Sequence, residues 1–546
     1  MRGFLHSGWL LLTGTIGCDP GELPETPVTA GIPPHLLVPA TLEEGGLVTC
    51  ADPSRRATEP LVATPGSPLQ GEPVYRAHGA GAVVGDFNGD DQMDILVLSD
   101  EVAEFYVAGV GGELLRMHDG WTDSTAPIGR GFGTSAADYD GDGDLDIYIA
   151  RYGRENVFLQ NDGAGFFTDV APELGMTGPA EGRHSSVTWA DIDNDGDLDL
   201  TVAGHGFVDE RLGDASMFGP GERTLLYRNE GDGTFTEVGD LIPEPIHYAF
   251  SFTATYLDLD GDGWRDLYMA NDFGSAHSPA YLAWNRQGTF VLDDNAAALD
   301  VHISAMGTGV GDFNGDGQWD FLLPAWGYMN FMLSTESGVW FDYADAVGLV
   351  PAAEGNQKVG WGAELADVDN DADLDAVVVF GYIQTRTGNN SLGQPNGIWL
   401  QGDDGLMTQV SREWGFDHRG SARGLVVADL NDDGYLDMVV PDLAGPSMLY
   451  YATCGDRSWL KIRLDQPGMN PDAIGARVKI TTDGGVQERM LFAGGTSLAS
   501  GGPPELHFGL GDHEVVETLQ VSWPDGKISV LEDVAASQTV EIHRAP

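Results

Sequence analysis

The sequence predicts an all-β fold, a seven-bladed β-propeller followed by a small C-terminal β-sandwich-like domain. Three observations carry this. A nine-residue pattern, D-x-[DN]-x-D-x-x-x-D, recurs seven times at intervals of 52 to 67 residues, and internal repeats of that length mark propellers, solenoids or arrays. Each copy lies between short runs of β-branched, aromatic or small residues, too short for helices. Beyond about residue 457 the acidic loops stop, but apolar and polar residues go on alternating.

Residues 1–17 read as an export signal, with Arg2 as the positive region and Trp9-Leu10-Leu11-Leu12 as the apolar region. Thr15-Ile16-Gly17-Cys18 resembles the end of a bacterial lipoprotein signal, which makes Cys18 the expected lipidation site; plain cleaved secretion is the alternative. Residues 18–72 hold ten prolines and are expected to form a tether, since proline blocks regular structure. No later stretch has ~18 consecutive apolar residues, so a membrane contact is expected only through a lipid anchor.

The repeat is assigned to residues 73–453. After the second copy comes Ile147-Tyr148-Ile149, and Asn156 to Phe166 then reads as a second hairpin; Leu225 to Phe235 and Tyr281 to Phe290 follow the same design. One unit is therefore about four short strands. Seven such sheets set radially make a propeller, whereas a solenoid would need capping ends and usually has shorter repeats. Cys50 and Cys454 flank the repeat. A propeller brings its ends together, so a disulfide between these two is open alongside two free thiols, with the segment near Cys50 a candidate for the last blade's missing strand.

Alternate acidic residues in a tight hairpin converge their oxygens on one point. Positions 1, 3, 5 and 9 supply side-chain oxygens, position 7 a backbone carbonyl, and a glycine at position 6 takes the sharp bend. The candidate ligands in chain order are Asp86, Asn88, Asp90, Gln92 and Asp94; Asp138, Asp140, Asp142, Asp144 and Asp146; Asp191, Asp193, Asp195, Asp197 and Asp199; Asp258, Asp260, Asp262, Trp264 and Asp266; Asp312, Asn314, Asp316, Gln318 and Asp320; Asp367, Asp369, Asp371, Asp373 and Asp375; and Asp429, Asn431, Asp433, Tyr435 and Asp437. An all-oxygen ligand set favours Ca2+ over Mg2+, which demands stricter geometry and keeps its waters. Up to seven structural ions are expected. Two copies depart from the pattern, with Asp91 and Ala372 at position 6, where a side chain strains if φ is positive.

Charge agrees with this reading. Against 27 Lys and Arg stand 85 Asp and Glu, a net −58, and 30 of those acids lie in the seven loops. So acidic a chain is not expected to bind nucleic acid. Hydrophobic residues at 42% leave ample material for a core.

The loops, the approach Gly131-Phe132-Gly133 before Asp138, and the N-x-x-x-x-N-x-G-x-G-x-F stretch from Asn156 to Phe166 resemble FG-GAP/VCBS repeats, the blades of integrin α-like propellers and of many bacterial surface proteins. Trp459 to Leu464, Gly475-Ala476-Arg477-Val478, His507-Phe508-Gly509-Leu510-Gly511 and Trp523-Pro524-Asp525-Gly526 resemble the ASPIC/UnbV domain, here assigned to 457–546. Propeller plus that tail is the layout of the cartilage acidic protein family and its bacterial relatives. The resemblance implies calcium binding and a propeller that binds partners.

No HExxH, GxSxG or GxxxxGK[ST] device occurs. His507 has no visible partner motif and reads as a packed or surface histidine. Binding is therefore favoured over catalysis. Groups at the end of the blades away from the acidic hairpins would suit an extracellular protein or glycan: Arg151-Tyr152-Gly153-Arg154, His205-Gly206-Phe207, Asn271-Asp272-Phe273, Trp326-Gly327-Tyr328, and Tyr382 with Arg386. The expected role is cell-surface binding or adhesion by an outer-membrane or cell-surface lipoprotein, or by a secreted protein. A carbohydrate-active enzyme using that face, or a structural accessory of a surface complex, is the alternative.

Overall fold

The structure is a computed structural model that describes residues 38–41 and 79–544, apart from 100–101, 110–113, 118–120, 123–127, 207–218, 220, 275–276, 296, 336–337, 351–357, 383–392, 444 and 453–454. Cys18, Cys50 and Cys454 lie outside the described residues, as do Phe207 and Arg386.

The repeats fold into seven four-stranded antiparallel sheets. The second shows the plan, with strands Gly131–Ala137, Asp146–Arg151, Val157–Asn161 and Phe167–Asp169. The acidic hairpin joins its first two strands. Ala137 pairs with Asp146 beside the hairpin, and Gly131 with Arg151 at the far end. Six residues of strand therefore hold the acidic tip and Arg151 roughly 20 Å apart.

The seventh sheet takes Val426–Ala428, Asp437–Val440 and Met448–Tyr451 from the end of the repeat. Its fourth strand, Val38–Thr41, comes from the stretch expected to be a tether, with Val38 opposite Tyr451. An edge strand leaves a row of N–H and C=O groups wanting partners, and this early segment supplies them. Its proline content hides the strand, because Pro39 on an outer edge loses no ladder bond that matters. Two main-chain bonds tie neighbouring first strands across the join: Gly362 N donates to Arg423 O at 2.9 Å and Gly424 N to Ala80 O at 3.0 Å.

Successive sheets pack face to face through buried side chains. Phe87, Phe105, Ile147 and Phe167 fill the space between the first and second sheets. Asparagine side chains add a polar stitch at the hairpin end. Asn161 Nδ2 donates to Phe87 O (2.8 Å), Asn229 Nδ2 to Tyr139 O (3.2 Å) and Asn285 Nδ2 to Ile192 O (2.8 Å). Each reaches back to position 2 of the preceding sheet's hairpin.

The tail forms two sheets. One orders Gly485–Met490, Arg477–Thr482, Val515–Ser522 and Ile528–Ala535; the other orders Glu505–Gly511, Ser458–Asp465 and Gln538–His543. Their alternating residues Leu460, Ile462, Val478, Ile480, Leu519, Val521 and Trp523 are buried together, in a cluster that runs on into Tyr139, Phe158 and Trp189 of the second and third sheets. The tail domain and the propeller thus share one core.

One segment of the tail enters the propeller. Ala493–Gly494 adds a strand to the third sheet, opposite Trp189 and Thr188. Thr255 Oγ1 of the fourth sheet donates to Gly495 O. Ser497 exchanges two main-chain bonds with Thr308 beside the fifth sheet, at 3.1 and 2.7 Å. Thr134 N of the second sheet donates to Ala499 O at 3.0 Å, and Val84 N of the first to Gly501 O at 3.1 Å. A segment that bonds at the first strands of five sheets must lie where those strands meet, which is the axis. Apart from Leu498, which packs with Phe132, Phe252 and Trp361, its residues are small, Gly494-Gly495-Thr496-Ser497-Leu498-Ala499-Ser500-Gly501, as a narrow channel requires. The inner wall is correspondingly bare: a β-carbon on Gly81 would lie 2.0 Å from Ala499 O.

Candidate metal centres

Each acidic hairpin is organised by its first and ninth residues. In the second copy Asp138 Oδ1 accepts from Gly141 N (2.8 Å) and Asp142 N (3.2 Å), and Oδ2 from Gly143 N (2.8 Å). Asp146, at position 9, accepts from Asn161 N of the third strand at 2.8 Å. The equivalent bonds recur at Asp94 with Ala108 N (2.8 Å), Asp199 with Asn229 N (2.9 Å), Asp266 with Asn285 N (2.8 Å), Asp320 with Ser334 N (2.8 Å), Asp375 with Gln401 N (2.9 Å) and Asp437 with Ala452 N (2.7 Å). The ninth residue therefore orients the loop as well as offering an oxygen. Position 7 enters these contacts through its N–H, which donates to the position-5 carboxylate, as from Asp144 to Asp142 at 3.1 Å.

Position 6 is left-handed in every copy. It is glycine in five, with φ from 81° at Gly317 to 96° at Gly143 and Gly196, but Asp91 sits at 62° and Ala372 at 84°. The strain expected of those two substitutions is present. Position 4 is left-handed as well, at Gly89, Gly141, Asn194, Gly261, Gly315, Asn370 and Asp432. The sequence reading missed this second bend. Its signal was there, because position 4 is Gly, Asn or Asp in all seven copies, the residues that tolerate this conformation.

Four hairpins bring three carboxylates within 4.8 Å of one another: Asp138, Asp140 and Asp146; Asp191, Asp193 and Asp199; Asp258, Asp260 and Asp262; and Asp367, Asp369 and Asp371. The first two groups use position 9 and the last two use position 5. Among the described residues the hairpins at Asp86, Asp312 and Asp429 form no such trio. Each of them has asparagine at position 3, which offers a neutral oxygen in place of a charged one.

The clustering is electrostatically costly. Burial first, and then neighbouring aspartates, raise Asp138 and Asp191 to about 6 and Asp94, Asp266 and Asp320 to about 7. Asp367 is raised to about 8 by the same causes, and Asp146 and Asp199 lie well above the usual carboxylate range. Buried carboxylate oxygens with no hydrogen-bond donor remain in these groups: Asp140 Oδ1, Asp146 Oδ2, Asp191 Oδ1, Asp193 Oδ1 and Asp258 Oδ1. A buried acceptor left unmatched costs about 1–3 kcal/mol. A hard divalent cation satisfies several such oxygens at once, so the residues present fit one.

The chain supplies some cations of its own. Lys461, buried in the tail domain, sets Nζ 3.0 Å from Asp429 Oδ2 and 2.5 Å from Asp432 Oδ1. Arg457 Nη1 lies 2.8 Å from Asp369 Oδ1 and 3.5 Å from Asp371 Oδ2. Arg286, in the fourth sheet, reaches Asp260 at 2.6 Å and Asp262 at 2.9 Å. The tail domain also lies on the hairpins through neutral contacts. His507 Nε2 is 3.0 Å from Gly434 O, and Gly511 N donates to Asn370 O at 2.8 Å. His507 is thus a packing residue on the seventh hairpin, in keeping with its reading from sequence.

At the opposite end Tyr152, His205 and Asp272 are buried. His205 Nε2 lies 3.7 Å from Asp272 Oδ2, and its ring centroid 4.4 Å from that of Phe252. Tyr328 is 48% exposed.

The FG-GAP-like repeat model matches residues 86–149, 138–202, 215–269 and 258–323, and the ASPIC and UnbV model matches 466–546. The chain is an FG-GAP repeat protein with an ASPIC/UnbV domain. Cartilage acidic protein 1 of Homo sapiens is 28% identical over 284 residues, half of this FG-GAP chain and 40% of that protein. The Xenopus tropicalis protein of the same name is 24% identical over 530 residues, 91% of this chain and 67% of its own length. The FG-GAP chain thus spans well under half the length of the human relative it matches. Among solved structures, the Bacillus licheniformis rhamnogalacturonan lyase PL11 superposes with a TM-score of 0.36 and 14% identity, over 69% of this chain and 72% of that one. No helix among the described residues is long and apolar enough to cross a membrane.

Proposed function

We propose that this FG-GAP/ASPIC chain is an exported, calcium-binding β-propeller that holds a protein or glycan partner at the cell surface, using the end opposite its acidic hairpins. The observation that carries the reading is the course of the tail domain. It lies on the hairpin end through Arg457, Lys461 and His507, and it threads residues 493–501 through the axis. One end and the channel are thereby filled by the chain itself, and the opposite end is the face we assign to a ligand.

Calcium has a structural role in this reading. The ion neutralises the hairpin carboxylates, while Asp138 and its equivalents hold the loop through backbone N–H groups and Asp146 and its equivalents tie it to the third strand. The hairpins fix the ends of the first two strands, and those strands present the residues of the far end. Lipidation at Cys18 would tether the propeller to an outer-membrane or cell-surface site; a secreted form is the alternative.

The test uses the exported full chain in calcium against a glycan array and intact cells of its source. Tyr328→Ala at the opposite end is expected to weaken the binding found, and Val486→Ala on the tail domain to leave it unchanged. Loss with the tail substitution and none at the opposite end would refute the assignment of the face. In parallel, Cys18→Ser should move the chain out of the membrane fraction.

A further inference from the structure

The arginines at the far end of the second sheet form a feature that the proposed binding face does not yet explain. Arg151 ends the strand Asp146–Arg151, opposite Gly131, and Arg130 precedes that partner strand. Tyr152 N donates to Arg130 O at 3.1 Å. The chain then turns through Gly153, at φ +69°, where a β-carbon would lie 3.5 Å from Arg130 Nη1. The exposed Arg154 follows. Three guanidinium groups are thus gathered around one turn of a chain whose net charge is −58.

Two of them have no counter-ion. Among the described residues no carboxylate lies within ion-pair distance of Arg151 or Arg154. Arg151 spends its N–H groups on main-chain oxygens instead, with Nε 2.9 Å from Gly129 O and Nη1 3.1 Å from Glu155 O. Those bonds fix the guanidinium in place. Burial, and next the charge of Arg154, hold Arg151 below the ordinary arginine value; Arg130 adds to the repulsion, and Asp169 and Glu155 offset part of it. Arg151 and Arg154 are like charges held close without a carboxylate in contact, and an anion that joins them would offset their repulsion. The hairpin carboxylates cannot serve, being roughly 20 Å away along the strands, beyond a screening length of about 8 Å.

We propose that Arg130, Arg151 and Arg154 form a binding site for an acidic saccharide, one that carries carboxylate or sulfate groups. This rests on the opposite end being the binding face. Guanidinium groups pair with either anion in a two-pronged geometry, and a cluster of them suits a chain of repeated charges. The same end offers the exposed ring of Tyr328 and the half-buried Trp326, flat faces that take sugar rings.

The experiment measures binding of the full chain, in calcium, to oligogalacturonate, dextran sulfate, neutral dextran, polyglutamate and vesicles rich in phosphatidylglycerol. The inference expects one or both acidic saccharides to bind with an affinity that falls as salt rises. Arg154→Gln and Arg151→Gln should each weaken that binding by roughly tenfold, the loss of one charged hydrogen bond. Arg154 is exposed, so Arg154→Gln should melt with the parent chain and isolate binding from folding. Unchanged affinity in Arg154→Gln, equal binding of neutral dextran, or binding confined to polyglutamate or to vesicles would overturn the inference. If a neutral glycan binds and Tyr328→Ala abolishes it, the face stands and the anionic site falls.

Discussion

The hairpins at Asp138 and Asp367 carry the same five aspartates, yet the fold treats them differently. The first has glycine at position 6, gathers positions 1, 3 and 9, and leaves Asp140 Oδ1 and Asp146 Oδ2 without a donor. The second bends at Ala372 with φ 84°, gathers positions 1, 3 and 5, and receives the Arg457 guanidinium 2.8 Å from Asp369. A shared motif therefore does not fix a shared charge balance. Where the tail domain sets a basic side chain on a hairpin, the chain delivers part of the neutralising charge. At the Asp138 hairpin the tail brings Gly468 and Met469 against Gly141 instead, and the carboxylates depend on an outside cation.

The largest effect is expected where the chain's own cation is most buried. Lys461→Met leaves Asp429 and Glu505 facing each other in a buried site, since Lys461 lies within 3.0 Å of the first and 3.8 Å of the second. Breaking a buried pair by removing one partner costs about 3–5 kcal/mol. Chemical denaturation should show that loss at pH 7, in calcium as well as in chelator. A loss under 1 kcal/mol would mean that the tail contributes no counter-charge to the seventh hairpin.

The second effect is a pH dependence whose sign the metal sets. In chelator, Asp94, Asp266 and Asp320 have folded values near 7 against an ordinary 3.8, because of burial. Between those values the folded chain binds more protons than the unfolded one, so stability falls as pH rises from about 4 to 7. Bound calcium requires the deprotonated carboxylates, so in calcium this fall should flatten or reverse. Melting curves at pH 5 and pH 8, with and without calcium, check both halves.

The smallest effect lies at position 6. Ala372→Gly removes a left-handed alanine and should stabilise the chain by about 1 kcal/mol, and Gly143→Ala should destabilise it by a similar amount. Equal and negligible changes would show that the two hairpins bend alike and that the position-6 contrast has no energetic content.

Much of this was legible in the sequence, for reasons of chemistry at short range. The seven carboxylate patterns, the glycine bends and the alternating strands are local, and residue type alone implies them. The strained positions Asp91 and Ala372 were readable because a single side chain stands where the other copies have glycine. The left-handed bend at position 4 was equally local but easily passed over, since Gly, Asn and Asp there read as generic loop residues. What sequence did not disclose is long-range. A closing strand for the last blade is anticipated near Cys50, but its place at Val38–Thr41, inside the proline-rich stretch, shows only once its partner Met448–Tyr451 is known. The run Gly494 to Gly501 reads as a loop, and only the convergence of the first strands makes it an axle. The cations at Arg457 and Lys461 are ordinary strand and loop residues of the tail until the hairpins lie beneath them.

The central claim is that the hairpin carboxylates are ion sites on which the fold depends. It is tested most directly by melting residues 34–546 in calcium, in magnesium and in chelator, with bound metal counted by native mass spectrometry. The account predicts a large, calcium-selective rise in melting temperature and at least four ions per chain, one for each hairpin that gathers three carboxylates. A melt indifferent to chelator, with no bound metal, would contradict it and leave the seven hairpins as acidic turns.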